Sequence, residues 1–174
     1  MNNFYDDEEL DKLYDEKYFS TRSRPRLWDR RAEFIIENFF HKLKVYYEDT
    51  DAGGVVYYSN YLKFLERART EALVTLGLSN KKIKEDFGAL IIVKSCNIEY
   101  KISAYLEDEL TIRSYVKSIT KTSFVMNQFI TRGEELIAEA KVHLVFINKD
   151  GKPIKIPDNL FQDFKPYFCD SIKV

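Results

Sequence analysis

The feature that most constrains the fold of this chain is one abrupt change in the spacing of its apolar residues. Between Asn60 and Leu76 they recur every three or four positions, which is the period of an amphipathic α-helix. This stripe consists of Tyr61, Phe64, Leu65, Ala68, Ala72 and Leu76. Ser59 or Asn60 can cap the start of such a helix, and Gly77 can end it. From about residue 90 the spacing becomes two, so the sequence predicts one long helix followed by β-strands.

Four strands are predicted after the helix, at Leu90–Tyr100, Glu109–Ile119, Ser123–Arg132 and Glu135–Asn148. A further strand is predicted before the helix, where Leu43, Val45 and Tyr47 alternate with other residues. The four later strands follow one another directly, so we expect them to form an antiparallel meander. A long helix that lies on such a sheet buries the apolar faces of both, which is an α+β architecture.

Composition argues against several classes of protein. The 27 basic and 28 acidic residues give a formal net charge of -1, so we expect no nucleic-acid partner. The longest apolar run, Ala89–Val93, is too short for a membrane span, and the acidic start of the chain lacks the apolar segment of a secretory signal. Cys96 and Cys169 belong to no paired motif, so we expect neither a metal site nor a disulfide framework. A cytoplasmic protein is the resulting prediction.

The first 38 residues form a charged extension that differs from the rest of the chain. Acidic residues crowd its first sixteen positions, and five arginines follow between positions 22 and 31. Apolar residues recur at helical spacing in both parts, which allows short helices as well as a partly disordered tail. We therefore divide the chain into an N-terminal extension, residues 1–38, and a folded domain, residues 39–174.

The stretch Tyr46–Glu71, with the sequence YYEDTDAGGVVYYSNYLKFLERARTE, contains the candidate chemistry. Its D-x-D-x-G core is compatible with an ordinary solvated turn. A calcium loop that starts at Asp49 is a poorer interpretation, because its twelfth position is Asn60 where a bidentate glutamate is needed. In a third interpretation, the Asp51 carboxylate and the unpaired N–H groups of the following helix act together on a carbonyl group. Spacing alone leaves these interpretations open.

The same stretch resembles the YbgC/4-hydroxybenzoyl-CoA thioesterase family. The residues that carry the resemblance are Asp51-Ala52-Gly53-Gly54-Val55-Val56-Tyr57 and Asn60-Tyr61. The similarity extends over roughly residues 39–149 and includes the order of the elements. It implies a hotdog fold, in which a five- to six-stranded antiparallel sheet wraps a long central helix, so that residues 39–174 are a hotdog thioesterase domain. It also implies homodimers, often paired into homotetramers, with active sites at the subunit interface.

The resemblance also assigns roles to individual residues. Asp51 matches the catalytic aspartate, which acts as a nucleophile or as a general base for water. Tyr58 matches the position whose backbone N–H polarises the thioester oxygen; many relatives have histidine there. The other residues implied to bind the substrate are Gly54, Asn60, Tyr61, Lys121, Thr122 and Ser123. Helix capping and core packing remain open for Asn60 and Tyr61, as does an ordinary hairpin turn for Lys121–Ser123, the segment implied to contact the nucleotide of coenzyme A.

We therefore predict an acyl-CoA thioesterase that converts an acyl-CoA thioester to a free acid and coenzyme A. No separate cofactor is expected, since coenzyme A is part of the substrate. The alternative is a non-catalytic protein that binds acyl-CoA or acyl carrier protein on the same fold. A dehydratase on this fold is disfavoured, because it needs a histidine in its pocket and neither His41 nor His143 is near the predicted helix start. The acyl group and its carrier, coenzyme A or acyl carrier protein, stay open.

Overall fold

The computed structural model describes residues 38–167 of the 174-residue chain. The N-terminal extension up to residue 37 and Cys169 lie outside the described residues. The elements are β1 (Phe39–Lys44), α1 (Asn60–Thr75), α2 (Asn80–Phe87), β2 (Leu90–Tyr100), β3 (Glu109–Ile119), β4 (Ser123–Arg132), β5 (Glu135–Ile147) and α3 (Asp158–Phe164). Among the described residues, no helix combines the length and the apolar character needed to span a bilayer.

The five strands form one antiparallel sheet in the order β1-β3-β4-β5-β2. Strands β3, β4 and β5 form the predicted meander. The prediction is wrong for β2, which pairs with β5 at the edge opposite β1 instead of pairing with β3. Alternation identifies the buried face of a strand but not its neighbour in the sheet. Residues 101–108 connect β2 to β3. This connection takes the chain from the edge strand β2 to β3, which lies next to the opposite edge of the sheet.

Helix α1 packs against β1 and β3 and supplies the centre of the core. Five of the six residues in the predicted stripe are buried, and Leu76 is partly buried against the same core. Phe64, for example, is fully buried. Burial of such a side chain stabilises the folded state by about 1.5–3 kcal/mol relative to exposure. The predicted α+β architecture, with one long helix on an antiparallel sheet, is confirmed.

A buried polar cluster fixes α1 on the sheet. Gln128 of β4 is fully buried, and its Oε1 accepts a hydrogen bond of 2.8 Å from Nη1 of Arg69. Its Nε2 donates to the Leu65 carbonyl oxygen at 3.1 Å and to Ser114 Oγ at 3.0 Å. A buried amide without hydrogen-bond partners lowers the stability of the folded state by about 1–3 kcal/mol. A shift of the helix along the sheet would break these bonds, so they favour one position of α1.

Helix α1 begins and ends close to its predicted limits, but its start is not capped as predicted. Ser59 occupies the N-cap position without a side-chain hydrogen bond to the helix. The Asn60 side chain donates instead to the carbonyl oxygen of Asp49, outside the helix. At the other end, Gly77 has a φ of +70°, which favours glycine and ends the helix as predicted.

The predicted strand through Leu43, Val45 and Tyr47 ends earlier, at Lys44. The Asp49 carboxylate accepts a hydrogen bond of 3.0 Å from the Tyr46 N–H, and residues 47–49 form a short 3₁₀ turn. Asp49 is buried in this turn. The local bond between a carboxylate and a backbone N–H therefore replaces the continuation of the strand.

Two helices were not predicted. The start of α2 is capped by Ser79, whose Oγ accepts a hydrogen bond of 3.1 Å from the Lys82 N–H. Helix α3 buries Leu160 and Phe164 against the core. Both helices are short and place one or two side chains in the core, so their periodic signal is weak. The serine at the start of α2 is a sequence signal that could have identified that helix.

Candidate active site

Asp51 lies in a tight turn between the 3₁₀ turn and α1. Its N–H donates to the Val55 carbonyl oxygen at 2.9 Å, and the Gly54 N–H donates to the Asp51 carbonyl oxygen at 3.0 Å. Gly54 has a φ of +74°, a conformation that favours glycine. The Asp51 carboxylate accepts a hydrogen bond of 2.7 Å from the Gly53 N–H. The turn therefore orients a carboxylate that is exposed to solvent.

The Asn60 side chain connects this region to the start of α1. Asn60 is buried, and its Nδ2 donates to the Asp49 carbonyl oxygen at 3.0 Å and to the Glu48 carbonyl oxygen at 3.5 Å. The Tyr57 N–H also donates to the Asp49 carbonyl oxygen, at 2.9 Å. The side-chain amide of Asn60 is thus bonded to protein carbonyl groups. Its predicted contact with substrate stays a prediction.

The connection between β2 and β3 is hydrogen-bonded to residues on both sides of the start of α1. The Val56 N–H donates to the Ala104 carbonyl oxygen at 2.8 Å, and the Ala104 N–H donates to the Tyr61 hydroxyl at 3.1 Å. Burial raises the pKa of the Tyr61 hydroxyl. Arg132 Nη1 lies 2.7 Å from Asp108 Oδ2 and anchors the far end of this connection to β4. Tyr61 packs in the core, which is one of the two roles left open for it, and its contact with substrate stays a prediction.

Unpaired N–H groups lie at the start of α1. The N–H groups of Tyr57 and Asn60 have acceptors, the carbonyl oxygens of Asp49 and Tyr57 respectively. Within residues 38–167, the N–H groups of Tyr58 and Ser59 have no acceptor. Free donors at a helix start favour negative charge, so they can bind a carbonyl oxygen that becomes negative during a reaction.

The Asp51 carboxylate and the start of α1 belong to one electrostatic environment. The pKa of the Tyr57 hydroxyl is raised, first by the neighbouring Tyr58 side chain and to a smaller extent by the negative charge of Asp51. The rings of Tyr57 and Tyr58 contact each other with centroids 4.6 Å apart. The Asp51 carboxylate therefore acts electrostatically on Tyr57, the residue directly before the unpaired N–H groups of Tyr58 and Ser59.

A cavity of about 220 Å³ opens beside the helix start. Its wall combines three tyrosines and two aliphatic residues with exposed polar groups, and Lys101 adds one charge. The ammonium group of Lys101 lies 2.6 Å from Glu99 Oε2 and 2.9 Å from Glu139 Oε1, and these carboxylates raise its pKa to about 12. The residues that line the cavity are Val56, Tyr58, Tyr61, Tyr100, Lys101, Ile102 and Ser103.

The segment Lys121–Ser123 lies at the opposite end of the sheet from Asp51. Lys44, which leads into the Asp51 region, pairs with Glu109 at the first residue of β3. The segment follows the last residue of β3, which is 11 residues long. At about 3.3 Å per residue the strand spans roughly 33 Å. One chain therefore does not bring these two predicted parts of the site together.

The side chains of that segment differ in their accessibility. Lys121 is exposed, whereas Ser123 is buried. Ser123 Oγ lies 2.9 Å from Thr120 Oγ1 and 3.0 Å from His143 Nε2. These contacts hold the hairpin turn between β3 and β4, and they also place His143 at the far end of the sheet from the start of α1.

The structure argues against the calcium interpretation. The Asp49 carboxylate is buried and bonded to the Tyr46 N–H, so it does not face a common site with Asp51. Within the described part of the chain, no three acidic, histidine or cysteine side chains are grouped so that they could hold a metal ion.

Comparison with known proteins agrees with this arrangement. Residues 45–164 match the thioesterase-like superfamily. The acyl-CoA thioesterase YbgC of Haemophilus influenzae is 36% identical over 120 residues, which cover 68% of this chain and 88% of that protein. The chain belongs to the YbgC-type thioesterase family. The acyl-CoA thioester hydrolase YbgC of Escherichia coli O157:H7 is 39% identical over 125 residues, or 71% of this chain and 92% of that protein. The predicted resemblance is confirmed.

The fold of this YbgC-type chain is also similar to that of solved structures. A probable thioesterase from Bartonella henselae superimposes with a TM-score of 0.68 and 32% identity, covering 70% of this chain and 100% of the other. A mutant 4-hydroxybenzoyl-CoA thioesterase, crystallised with 4-hydroxybenzoyl-CoA, superimposes with a TM-score of 0.68 and 24% identity. The superposition covers 73% of this chain and 98% of the other. The predicted hotdog fold, here with five strands, is confirmed.

We predict that Asn60→Asp destabilises the protein by about 2–3 kcal/mol, because it removes the buried donor and places a carboxylate against carbonyl oxygens. Urea denaturation measures this difference. Asn80→Asp is the matched control, since Asn80 is exposed in the first turn of α2, where a negative charge is favourable. We expect the control to change stability by less than about 0.5 kcal/mol. Equal effects of the two substitutions would contradict the structural role of Asn60.

Proposed function

We propose that this chain is an acyl-CoA thioesterase that hydrolyses an acyl-CoA thioester to a free acid and coenzyme A. The main observation behind the proposal is the exposed Asp51 carboxylate, which lies in a loop that hydrogen bonds to the Asp49 carbonyl oxygen join to the start of α1, where N–H groups are unpaired. Family membership supports the class of reaction. Water is the second reactant, and the proposal includes no cofactor, since coenzyme A belongs to the substrate.

In the proposed mechanism, the thioester oxygen accepts a hydrogen bond from the Tyr58 N–H. As the carbonyl carbon is attacked, negative charge develops on this oxygen, and one such donor stabilises the transition state by about 2.7–4 kcal/mol. Asp51 either attacks the carbon and forms an anhydride that water then cleaves, or removes a proton from the attacking water. In both routes the carbon–sulfur bond breaks and the thiolate of coenzyme A leaves. Gly54 serves the mechanism by permitting the turn that orients Asp51.

The proposal includes a homodimer formed through the free edge of β2. This strand is 11 residues long and pairs only with β5 within the described residues. Ile92 and Val93 are 42% and 47% exposed, and Cys96 is exposed on the same strand. A long apolar edge strand is a template for pairing with another chain. Pairing of two β2 strands would cover it, and a homotetramer of two such dimers is compatible with the same contact.

An antiparallel pair of β2 strands would also complete the site. Tyr100, at the end of β2, contacts the start of α1, whereas Leu90, at its beginning, pairs with Ile147 near the Lys121–Ser123 turn. A two-fold axis through the strand pair places the beginning of one β2 beside the end of the other. The exposed Lys121 and the half-buried Thr122 of a second copy then lie at the same end of the joined sheet as Asp51. This arrangement supports their proposed contact with the nucleotide of coenzyme A.

The acyl group can be carried by coenzyme A or by acyl carrier protein, and we propose coenzyme A as the primary carrier. We further propose a cytoplasmic location. Cys96 is a free, exposed thiol, and thiols of this kind persist in reducing compartments.

We predict that Asp51→Asn lowers kcat for acyl-CoA hydrolysis by about 10²–10⁴-fold, because the amide neither attacks the thioester nor removes a proton from water. Release of free thiol from short, long and aromatic acyl-CoAs measures the rate. Asp150→Asn, at an exposed turn after β5, is the control and should retain full activity. A fully active Asp51→Asn protein would refute the assigned role. Tight binding of acyl-CoA without turnover by the wild type would instead indicate a non-catalytic binding protein.

We predict that Val93→Lys converts the dimer to a monomer, because a charge on the β2 edge opposes strand pairing. Light scattering after size-exclusion chromatography measures the mass. Phe40→Lys is the control, since Phe40 is 65% exposed on β1, the opposite edge of the sheet. Dissociation by Phe40→Lys with an intact Val93→Lys dimer would place the interface at β1 and contradict the proposal.

A further inference from the structure

Tyr100 makes a contact that links the end of β2 to the start of α1. It is the last residue of β2, and its hydroxyl donates a hydrogen bond of 3.0 Å to the carbonyl oxygen of Tyr58. Its ring packs edge-on against the ring of Tyr61, with centroids 5.3 Å apart. Burial is the largest cause of a raised pKa of the Tyr100 hydroxyl. The hydroxyl therefore stays protonated near neutral pH and remains a donor.

The Tyr58 carbonyl oxygen depends on this contact for a hydrogen bond. In a regular helix it would accept from the Leu62 N–H, but that N–H donates to the Ser59 carbonyl oxygen at 3.1 Å. Within the described residues, Tyr100 supplies the hydrogen bond that Tyr58 accepts. Because a peptide unit is planar, fixing this carbonyl also fixes the Ser59 N–H, which belongs to the same unit.

The preceding peptide unit is held in a similar way. Its carbonyl, that of Tyr57, accepts a hydrogen bond of 2.9 Å from the Asn60 N–H, and its N–H is that of Tyr58. The unpaired N–H groups of Tyr58 and Ser59 thus belong to adjacent peptide units whose carbonyl groups are both hydrogen-bonded. A hydrogen bond to a carbonyl also polarises its peptide unit and strengthens the N–H as a donor.

We propose that Tyr100 is a positioning residue for thioester hydrolysis, which orients the Tyr58–Ser59 peptide unit so that the helix start presents two N–H donors to the thioester oxygen. This inference rests on the proposed function. Tyr100 acts through the backbone of Tyr58 and not on the reacting atoms. Its hydroxyl contributes most when charge develops on that oxygen, so its loss affects kcat more than KM.

The test compares Tyr100→Phe, which removes only the hydroxyl, with Tyr105→Phe. Tyr105 is 49% exposed, similar to Tyr100 at 45%, and its hydroxyl has no hydrogen-bond partner within residues 38–167. We expect Tyr100→Phe to lower kcat by about threefold to tenfold with KM nearly unchanged, which corresponds to the loss of one hydrogen bond. We expect Tyr105→Phe to keep both constants. Unchanged kcat in Tyr100→Phe, or the same loss in the control, would overturn the proposal.

A spectroscopic readout separates positioning from a general loss of structure. The probe is a ketone analogue of the acyl-CoA that is hydrolysed fastest, with a methylene group in place of sulfur. Hydrogen bonds to its carbonyl lower the infrared stretching frequency, so we expect a smaller lowering in Tyr100→Phe than in the wild type. An identical frequency in the two proteins would overturn the positioning role. If the wild type hydrolyses no thioester, the proposed function fails, and the frequency of acetonyl-dethio-CoA, an analogue of acetyl-CoA, still tests the effect of Tyr100 on a bound carbonyl.

Discussion

The carbonyl oxygen of Asp49 accepts two hydrogen bonds, one from the buried side chain of Asn60 and one from the N–H of Tyr57. They join the loop that contains Asp51 to the start of α1. The helix is itself fixed on the sheet by its apolar stripe and by Gln128, which bonds to α1 from β4. The relative position of the carboxylate and the helix amides therefore follows from the core, because both are tied to the same helix.

Much of the fold was predictable because spacing directly reports which face of an element is buried. Helix α1 and the later strands occupy nearly the predicted residues. The place of β2 was not predictable, since alternation gives no information on strand order. Two other features were not predictable for different reasons. The end of β1 is determined by a local bond to the Asp49 carboxylate. Helices α2 and α3 bury few residues and therefore give little periodic signal.

The candidate site was predicted in part. Asp51 and Tyr58 were found through a long motif, and the structure places an oriented carboxylate near unpaired amides, although their roles remain predictions. Asn60 and Tyr61 belong to the same motif but form contacts within the protein. Tyr100 was missed because it is 42 residues from its partner in sequence, and no local pattern records such a contact. Lys121 lies at the far end of the sheet, so its proposed role requires a second copy of the chain.

The central claim is that the thioester carbonyl lies between the Asp51 position and the start of α1. A crystal structure of the Asp51→Asn protein with an uncleaved acyl-CoA tests it most directly. The account predicts that the thioester oxygen lies within hydrogen-bonding distance of the Tyr58 N–H, with the side chain at position 51 beside the carbonyl carbon. A thioester bound away from the start of α1, or with its oxygen turned towards solvent, would contradict the account.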